Sequence, residues 1–277
     1  MSGEYTEIRV DTDEHVSEIV LDNPDKLNAM SPGFFLEIKK AFEEVDADDN
    51  VRAAIIRAEG RMFTAGLDLH KAAEGLLGAG ASGGKTSRAR TNMSLYRTIK
   101  ELQDCFSAIE RCRKPVIAAV HGKCIGGGLD LITACDIRLC STDASFSIYE
   151  TKIAIVADVG TLQRITAIVG KGMAREMAYT SRFIDSQRAL DCGLVNSVHA
   201  DKDAVVTAAR EMAGEIAANS PLAVQGTKLV LNYSDEHSTD DGLEHVAQWN
   251  SSFLRSNDIN EALSAFIDKR TPKYSGE

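Results

Sequence analysis

Three carboxylates stand close together in the sequence, in settings unlike a solvated surface. Asp130 follows three glycines in Gly126-Gly127-Gly128-Leu129-Asp130. Glu150 ends the stretch Ser147-Ile148-Tyr149-Glu150, and Asp158 interrupts the apolar run Ile153-Ala154-Ile155-Val156-Ala157-Asp158-Val159. Apolar surroundings strip water from a carboxylate and raise its pKa. Carboxylates that share a site cannot all ionise cheaply, so one tends to hold a proton. A set of this kind supplies both an acid and a base near pH 7 from one side-chain type.

Two glycine-bearing segments could serve the same chemistry. Val120-His121-Gly122-Lys123-Cys124-Ile125-Gly126-Gly127-Gly128 links a buried strand to a helix, and Met62-Phe63-Thr64-Ala65-Gly66-Leu67-Asp68-Leu69 reads the same way. Backbone N–H groups at such turns point at developing negative charge, and one from each turn would form an oxyanion hole. Tight packing at a strand-helix turn accounts for the glycines equally well, and a helix-start cap accounts for Asp68. The first segment is no dinucleotide fingerprint, because Cys124 stands two residues after Gly122 where a glycine is required.

The elements that must position these residues alternate between strand and helix. Ile8, Val10 and Ile19-Val20-Leu21 predict two strands around a polar turn at 11–15. Ser31-Pro32 opens a helix, with Phe35, Ile38, Phe42 and Val45 on one face. Ala53–Ala58 is a buried strand. A helix over 91–112 carries Leu95, Ile99, Leu102, Phe106 and Ile109 on one face. Strands at 116–120 and 137–140 follow, with a helix beginning at Gly127 between them. This rhythm gives an α/β fold. Past residue 200 the pattern is helical, over 202–218, 222–233, 240–255 and 258–269, the last opened by the capping-box-like pair Asp258 and Glu261. The chain therefore divides into a core over 1–200 and a helical region over 201–277, whose apolar faces need a surface to cover.

Composition narrows the function classes. The 277 residues are 44% hydrophobic and 26% charged, ordinary for a globular protein with a sizeable core. A formal net charge of −10 argues against binding to nucleic acid or a membrane surface. The cysteines at 105, 112, 124, 135, 140 and 192 lack C-x-x-C spacing and several lie in apolar runs, so they read as reduced core residues. No His or Cys spacing suits a metal, and no cofactor is expected. Gly84-Lys85-Thr86 looks like the end of a P-loop, but Ala79 stands where the motif needs glycine and no strand leads in. The stretch 75–90 reads instead as a loop. A polar acidic N-terminus and a C-terminus unlike Ser-Lys-Leu lead to the expectation of a cytoplasmic, bacterial-type protein, with peroxisome or mitochondrion as alternatives.

Thr64-Ala65-Gly66-Leu67-Asp68 and Gly126-Gly127-Gly128-Leu129-Asp130 resemble the paired oxyanion-hole motifs of the enoyl-CoA hydratase/isomerase (crotonase) family. Pro24-Asp25-Lys26-Leu27-Asn28-Ala29-Met30 is similar to the early CoA-contacting turn of that family. Gly160-Thr161-Leu162-Gln163-Arg164 and Ser264-Ala265-Phe266-Ile267-Asp268-Lys269-Arg270 fit as well, so the resemblance runs in order from about residue 8 to 270. It implies a crotonase-like spiral of ββα units, a C-terminal helical trimerisation region, a homotrimer or homohexamer, and an acyl-CoA thioester substrate. It implies oxyanion donors at the Leu67 and Gly127 N–H groups. Contacts to substrate and CoA are implied at Lys26, Ala29, Ala65, Gly66, Asp68, Leu69 and Gly128, with Phe266 and Lys269 reaching the CoA of a neighbouring subunit.

Within the family, the set Asp130, Glu150 and Asp158 resembles the Δ3,5-Δ2,4-dienoyl-CoA isomerases of fatty-acid β-oxidation. Hydratases carry a second Glu where Asp130 stands. The implied chemistry is a 1,5-proton shift. Glu150 takes a proton from C2, Asp158 delivers one to C6 after its pKa rises about 3 units, and Asp130 couples to the pair. Two rivals follow from the same residues. A hydratase would hold a water between Asp130 and Glu150 and leave Asp158 idle. A non-catalytic acyl-CoA binder would have no need of three carboxylates.

Overall fold

The computed structural model describes residues 5–71 and 87–277. Residues 75–86 of the expected loop, with the P-loop-like stretch, lie outside them. β1 (Ile8–Asp13) and β2 (Val16–Leu21) pair antiparallel across the polar turn. From β2 onward every pairing in the main sheet is parallel, through β3 (Ala53–Ala58), β4 (Val116–Val120), β6 (Ile137–Ser141) and β9 (Ser197–His199). The order is β1-β2-β3-β4-β6-β9. Three short strands, β5 (Lys123–Ile125), β7 (Ser145–Ser147) and β8 (Ile184–Asp185), make a second sheet in the order β5-β7-β8.

Strand periodicity assigns the two faces of the main sheet. Ala54, Ile56 and Ala58 of β3, with Val116, Ala118 and Val120 of β4, face the larger core. Phe34, Ile38, Phe42 and Val45 of α1 (Pro32–Ala47) and Phe106 and Ile109 of α2 (Arg88–Arg111) fill that core. Ser31 caps α1 by accepting from the Gly33 and Phe34 N–H groups, as its sequence predicted. Of the α2 face read from the sequence, only the C-terminal part is buried. Leu95 is exposed, because the helix outruns the neighbours it packs on.

The alternate residues Ala53, Ile55, Ile117 and Ala119 face the other way. They meet Val205, Val206, Ala209 and Ala213 of α6 (Lys202–Ala217). Residues on both sides of position 200 therefore share one core. Between lie α3 (Gly127–Thr133), α4 (Thr161–Thr180, kinked at Gly170) and α5 (Ser186–Asp191). The chain ends in α7 (Pro221–Glu236), α8 (Thr239–Phe253) and α9 (Asn257–Asp268). These three bury little, and Leu229, Leu231, Leu243, Phe253, Leu254, Leu263 and Ile267 stand exposed. The capping-box reading of α9 is corrected. Ser256 is the cap, bonded to the Ile259 N–H. Asp258 instead accepts from Ser220 Oγ and the Ser275 N–H, while Glu261 pairs with Arg270.

One ion pair, buried at its lysine end, fastens α7 to the body. Lys228 Nζ donates to Asp136 Oδ2 at 2.7 Å and to the Lys114 carbonyl at 3.1 Å, and the same Oδ2 accepts the Val116 N–H. Removing one partner strands a buried charge. Asp136→Ala leaves the buried Lys228 ammonium with the Lys114 carbonyl alone and should destabilise the protein by about 1–3 kcal/mol in urea titrations, and adding Lys228→Met should recover part of that loss. A double variant as unstable as Asp136→Ala would show that the pair does not account for the loss.

Candidate functional site

The site is built where two turns meet with no side chain between them. Gly66 has φ +82°, and a Cβ there would lie 2.7 Å from the Ile125 carbonyl and 3.5 Å from the Gly127 nitrogen. Only glycine allows that approach. Thr64 ties the turns together, donating its N–H to the Lys123 carbonyl and accepting the Ile125 N–H at its own carbonyl. Asn28 pins the outer turn from beneath. Its Nδ2 donates to the carbonyls of Glu59, Met62 and Phe63, and the Thr64 hydroxyl donates back to the Asn28 carbonyl at 2.6 Å. Asn28 is 3% exposed, and its scaffolding role went unread in the sequence. Its one signal was a place in a turn beside Pro24.

Leu67 and Gly127 are the two positions expected to supply an oxyanion hole. Met30 brackets Leu67 by accepting the Asp68 N–H and donating to the Gly66 carbonyl. Gly127 opens α3, where the first N–H groups of a helix have no partner within it. Neither the Leu67 nor the Gly127 N–H donates a hydrogen bond among the described residues. Two free donors on adjoining turns can stabilise an oxyanion by several kcal/mol, since losing one typically costs ~3–4 kcal/mol.

The carboxylates converge on the same place. A Cβ on Gly126 (φ +53°) would lie 3.3 Å from Glu150 Oε1, so the Glu150 carboxyl rests against the residue preceding Gly127. Glu150 Oε2 is buried with no hydrogen-bond partner. Burial first, and then the nearby charge on Asp130, push Glu150 up to about 7, with Asp158 adding less. Asp130 is 2% exposed and its Oδ1 accepts the Thr161 N–H at 2.6 Å. Burial carries Asp130 up to about 6 despite that bond. Its carboxyl thus answers the start of α4, in addition to lying in the first turn of α3. Asp158 is half-buried and raised by desolvation. The sequence placed the large upward shift on Asp158; the large shifts fall on Glu150 and Asp130, with burial the leading cause at both.

The remaining expected contacts divide into two groups. Ala65, Gly66, Leu67 and Asp68 form the outer turn, and Lys26 and Ala29 lie beside it in the turn at 24–30. The Asp68 carboxylate caps the following turn, accepting from His70 and Lys71 N–H groups, with Leu69 exposed next to it. Gly128 packs its backbone on Thr64 and Cys124. Phe266, 83% exposed, and Lys269 stand at the end of α9. Neither bonds to a site residue within this chain among the described residues. Arg270, part of the expected basic set, is engaged by Glu261 and Asp268.

Comparisons with known proteins identify the family and the fold. The family described as enoyl-CoA hydratase/isomerase matches residues 11–277. A mitochondrial Delta(3,5)-Delta(2,4)-dienoyl-CoA isomerase of Dictyostelium discoideum is 45% identical over 270 residues, 98% of this chain and 91% of that protein. A peroxisomal protein of the same name from Arabidopsis thaliana is 47% identical over 268 residues, covering 97% and 95%. The crystal structure of enoyl-CoA hydratase from Bacillus anthracis superposes with a TM-score of 0.87 at 30% identity, covering 98% and 100%. These relatives overturn the cytoplasmic expectation, since their names place them in mitochondria or peroxisomes. An organelle address is read by a receptor and leaves no mark on a packed core.

The raised Glu150 pKa carries a stability consequence. Its folded value of about 7 lies above the ordinary 4.5, so the folded state holds a proton over that window. Stability from this group is full below pH 4.5 and is lost as pH rises through 7. Glu150→Gln should therefore match wild type near pH 4 and exceed it by about 3 kcal/mol above pH 7. Thermal melts from pH 4 to 8 check this. Parallel stability curves would place Glu150 in a solvated setting.

Proposed function

This chain belongs to the enoyl-CoA hydratase/isomerase family, and from that premise we propose that it converts 3,5-dienoyl-CoA thioesters to 2,4-dienoyl-CoA by a 1,5-proton transfer. The observation that carries the reading is the Glu150 carboxyl lying beside the free Gly127 N–H, with two further carboxylates close by. The thioester carbonyl sits between the Leu67 and Gly127 N–H groups. Glu150 removes a C2 proton, and the negative charge moves onto that oxygen, where the two donors stabilise it. The double bonds then shift from C3=C4 and C5=C6 to C2=C3 and C4=C5 as Asp158 delivers a proton to C6. The atoms balance without a co-reactant or cofactor, and proton exchange restores Glu150 and Asp158.

The pKa of Glu150 near neutrality suits a base that must gain and lose a proton in each cycle. Asp130 holds its negative charge next to Glu150 and strengthens its basicity. The engagement of Asp130 Oδ1 by the Thr161 N–H supports isomerisation over hydration, because a hydratase would use that carboxylate to hold water. The CoA portion runs past the turn at 24–30, where Lys26 meets its phosphates.

The exposed apolar residues of α7–α9 support assembly into a homotrimer or homohexamer. In that assembly Phe266 and Lys269 of one protomer reach the CoA bound by another. Sedimentation at micromolar concentration should give three or six copies, and a stable monomer would overturn this part of the reading.

Asp158→Asn keeps the side-chain size while removing the transferable proton. Dienoyl isomerisation, followed by the absorbance of the conjugated product, should fall by ~10²–10⁴-fold with acyl-CoA binding unchanged. Glu150→Gln should fall at least as far. The double variant should lose less than the product of the two effects, because the groups act as a unit. Full activity in Asp158→Asn would sink the mechanism. Rapid hydration of 2-enoyl-CoA by wild type without dienoyl turnover would assign the chain to the hydratases.

A further inference from the structure

α2 touches the segment carrying Asp158 through one stripe of its surface. Gln103, Ser107 and Glu110 are spaced by four and three residues, so they share a helix face. Gln103 Nε2 donates to the Asp158 carbonyl at 2.7 Å. Ser107 Oγ accepts from Arg164 Nη2 at 3.2 Å, and Glu110 Oε2 accepts from Arg164 Nη2 at 2.8 Å and from Nε at 3.2 Å. The guanidinium is thereby laid across the first turn of α4. Gly160 has φ +135°, which strains any other residue, and a Cβ there would crowd Nη1, so the guanidinium packs directly on the Gly160 backbone. Arg164 is 13% exposed, and Nη1 is buried with no hydrogen-bond partner. A buried guanidinium donor left free is costly unless its charge is used.

We propose that Arg164, clamped by Ser107 and Glu110 against Gly160, is a positioning residue that holds the Asp158–Thr161 turn and sets the charge balance at Asp130. The inference rests on reading Asp130, Glu150 and Asp158 as the proton-transfer set. The groups that bear on Asp130 are Glu150 from its turn, Asp158, Cys124 of β5, and Arg164 with the Thr161 N–H from α4. Arg164 is the cation among them, and its charge favours the ionised form of Asp130. Ionised Asp130 is what keeps Glu150 basic, so Arg164 acts on Glu150 through Asp130. Gln103 fixes the other end of the turn and with it the distance from Asp158 to the rest of the set.

Two Arg164 variants separate charge from shape. In Arg164→Gln, kcat for 3,5-dienoyl-CoA should fall roughly ten- to a hundredfold with KM little changed, as expected for a small misplacement of reacting groups. The acid limb of the pH profile should move to higher pH, because Asp130 loses the cation that favours its ionised form. Arg164→Lys keeps the charge and loses the planar fork, so the limb should stay near wild type while kcat remains low. The Asp130 carboxyl, followed by carbon NMR and assigned with Asp130→Asn, should titrate at higher pH in Arg164→Gln only. This titration reads the inference even if wild type fails to isomerise dienoyl-CoA, an outcome that would remove the proposed function alone. Glu110→Gln releases the clamp without removing the cation, and should lower kcat with the limb in place. The proposal is overturned by an unmoved Asp130 titration in Arg164→Gln, or by full kcat in Glu110→Gln.

Discussion

The site depends on a contact in which two backbone turns meet without side chains between them. Gly66 lies against the Ile125 carbonyl and close to the Gly127 nitrogen, and any Cβ there would force the turns apart. That approach puts Leu67 and Gly127, whose N–H groups are free among the described residues, on adjoining turns. It also sets Gly126, the residue before Gly127, against the Glu150 carboxyl. Backbone donors have no rotamer freedom to lose, which is what preorganisation requires. The three carbonyls held by Asn28 and the ladder between Thr64 and β5 make the geometry a property of the fold.

The treatment of buried charge separates this site from the rest of the protein. Glu18 is also buried, yet Arg57 and Arg210 bond to both its oxygens and hold its pKa below the ordinary range. Arg138 is satisfied by the carbonyls of Leu194 and Cys135, and Lys228 by Asp136 and Lys114. Glu150 receives no such partner and instead faces Asp130, so its pKa rises where that of Glu18 falls. Identical side chains are driven in opposite directions by their neighbours. Glu150 Oε2, Thr161 Oγ1 and Arg164 Nη1 are buried without hydrogen-bond partners, and among the described residues only His245 Nε2 shares that condition. Unsatisfied polarity is costly in a core, and here it is concentrated where a substrate would be handled.

The scaffold behind the site is a sheet covered on both faces. Its strands are apolar along nearly their whole length because α1 and α2 lie on one side and α6 on the other. α6 therefore belongs energetically to the body, although it follows the last strand. α7–α9 make a different bargain with solvent, leaving leucines and phenylalanines uncovered. The Lys228–Asp136 pair, buried at its lysine end, anchors these helices without burying their outer faces.

Much of this protein was legible along the chain. Local signals carry the strand alternation in β3 and β4, the Ser31-Pro32 start of α1, the glycine turns and the unusual setting of Asp130, Glu150 and Asp158. Each depends on neighbours a few residues away, so periodicity and turn chemistry report it directly. The ordered motifs also carried a family resemblance that the comparisons bear out. Tertiary structure alone decided how far each carboxylate is perturbed, because desolvation and mutual repulsion depend on depth and distance in space. It alone joined Gln103, Ser107 and Glu110 to a turn more than fifty residues away. It alone assigned Asn28 to three carbonyls, and Asp258 to Ser220 and the tail instead of its own helix start. A side chain's hydrogen-bond partner is chosen by what folding brings within about 3 Å, and no spacing along the chain encodes that choice.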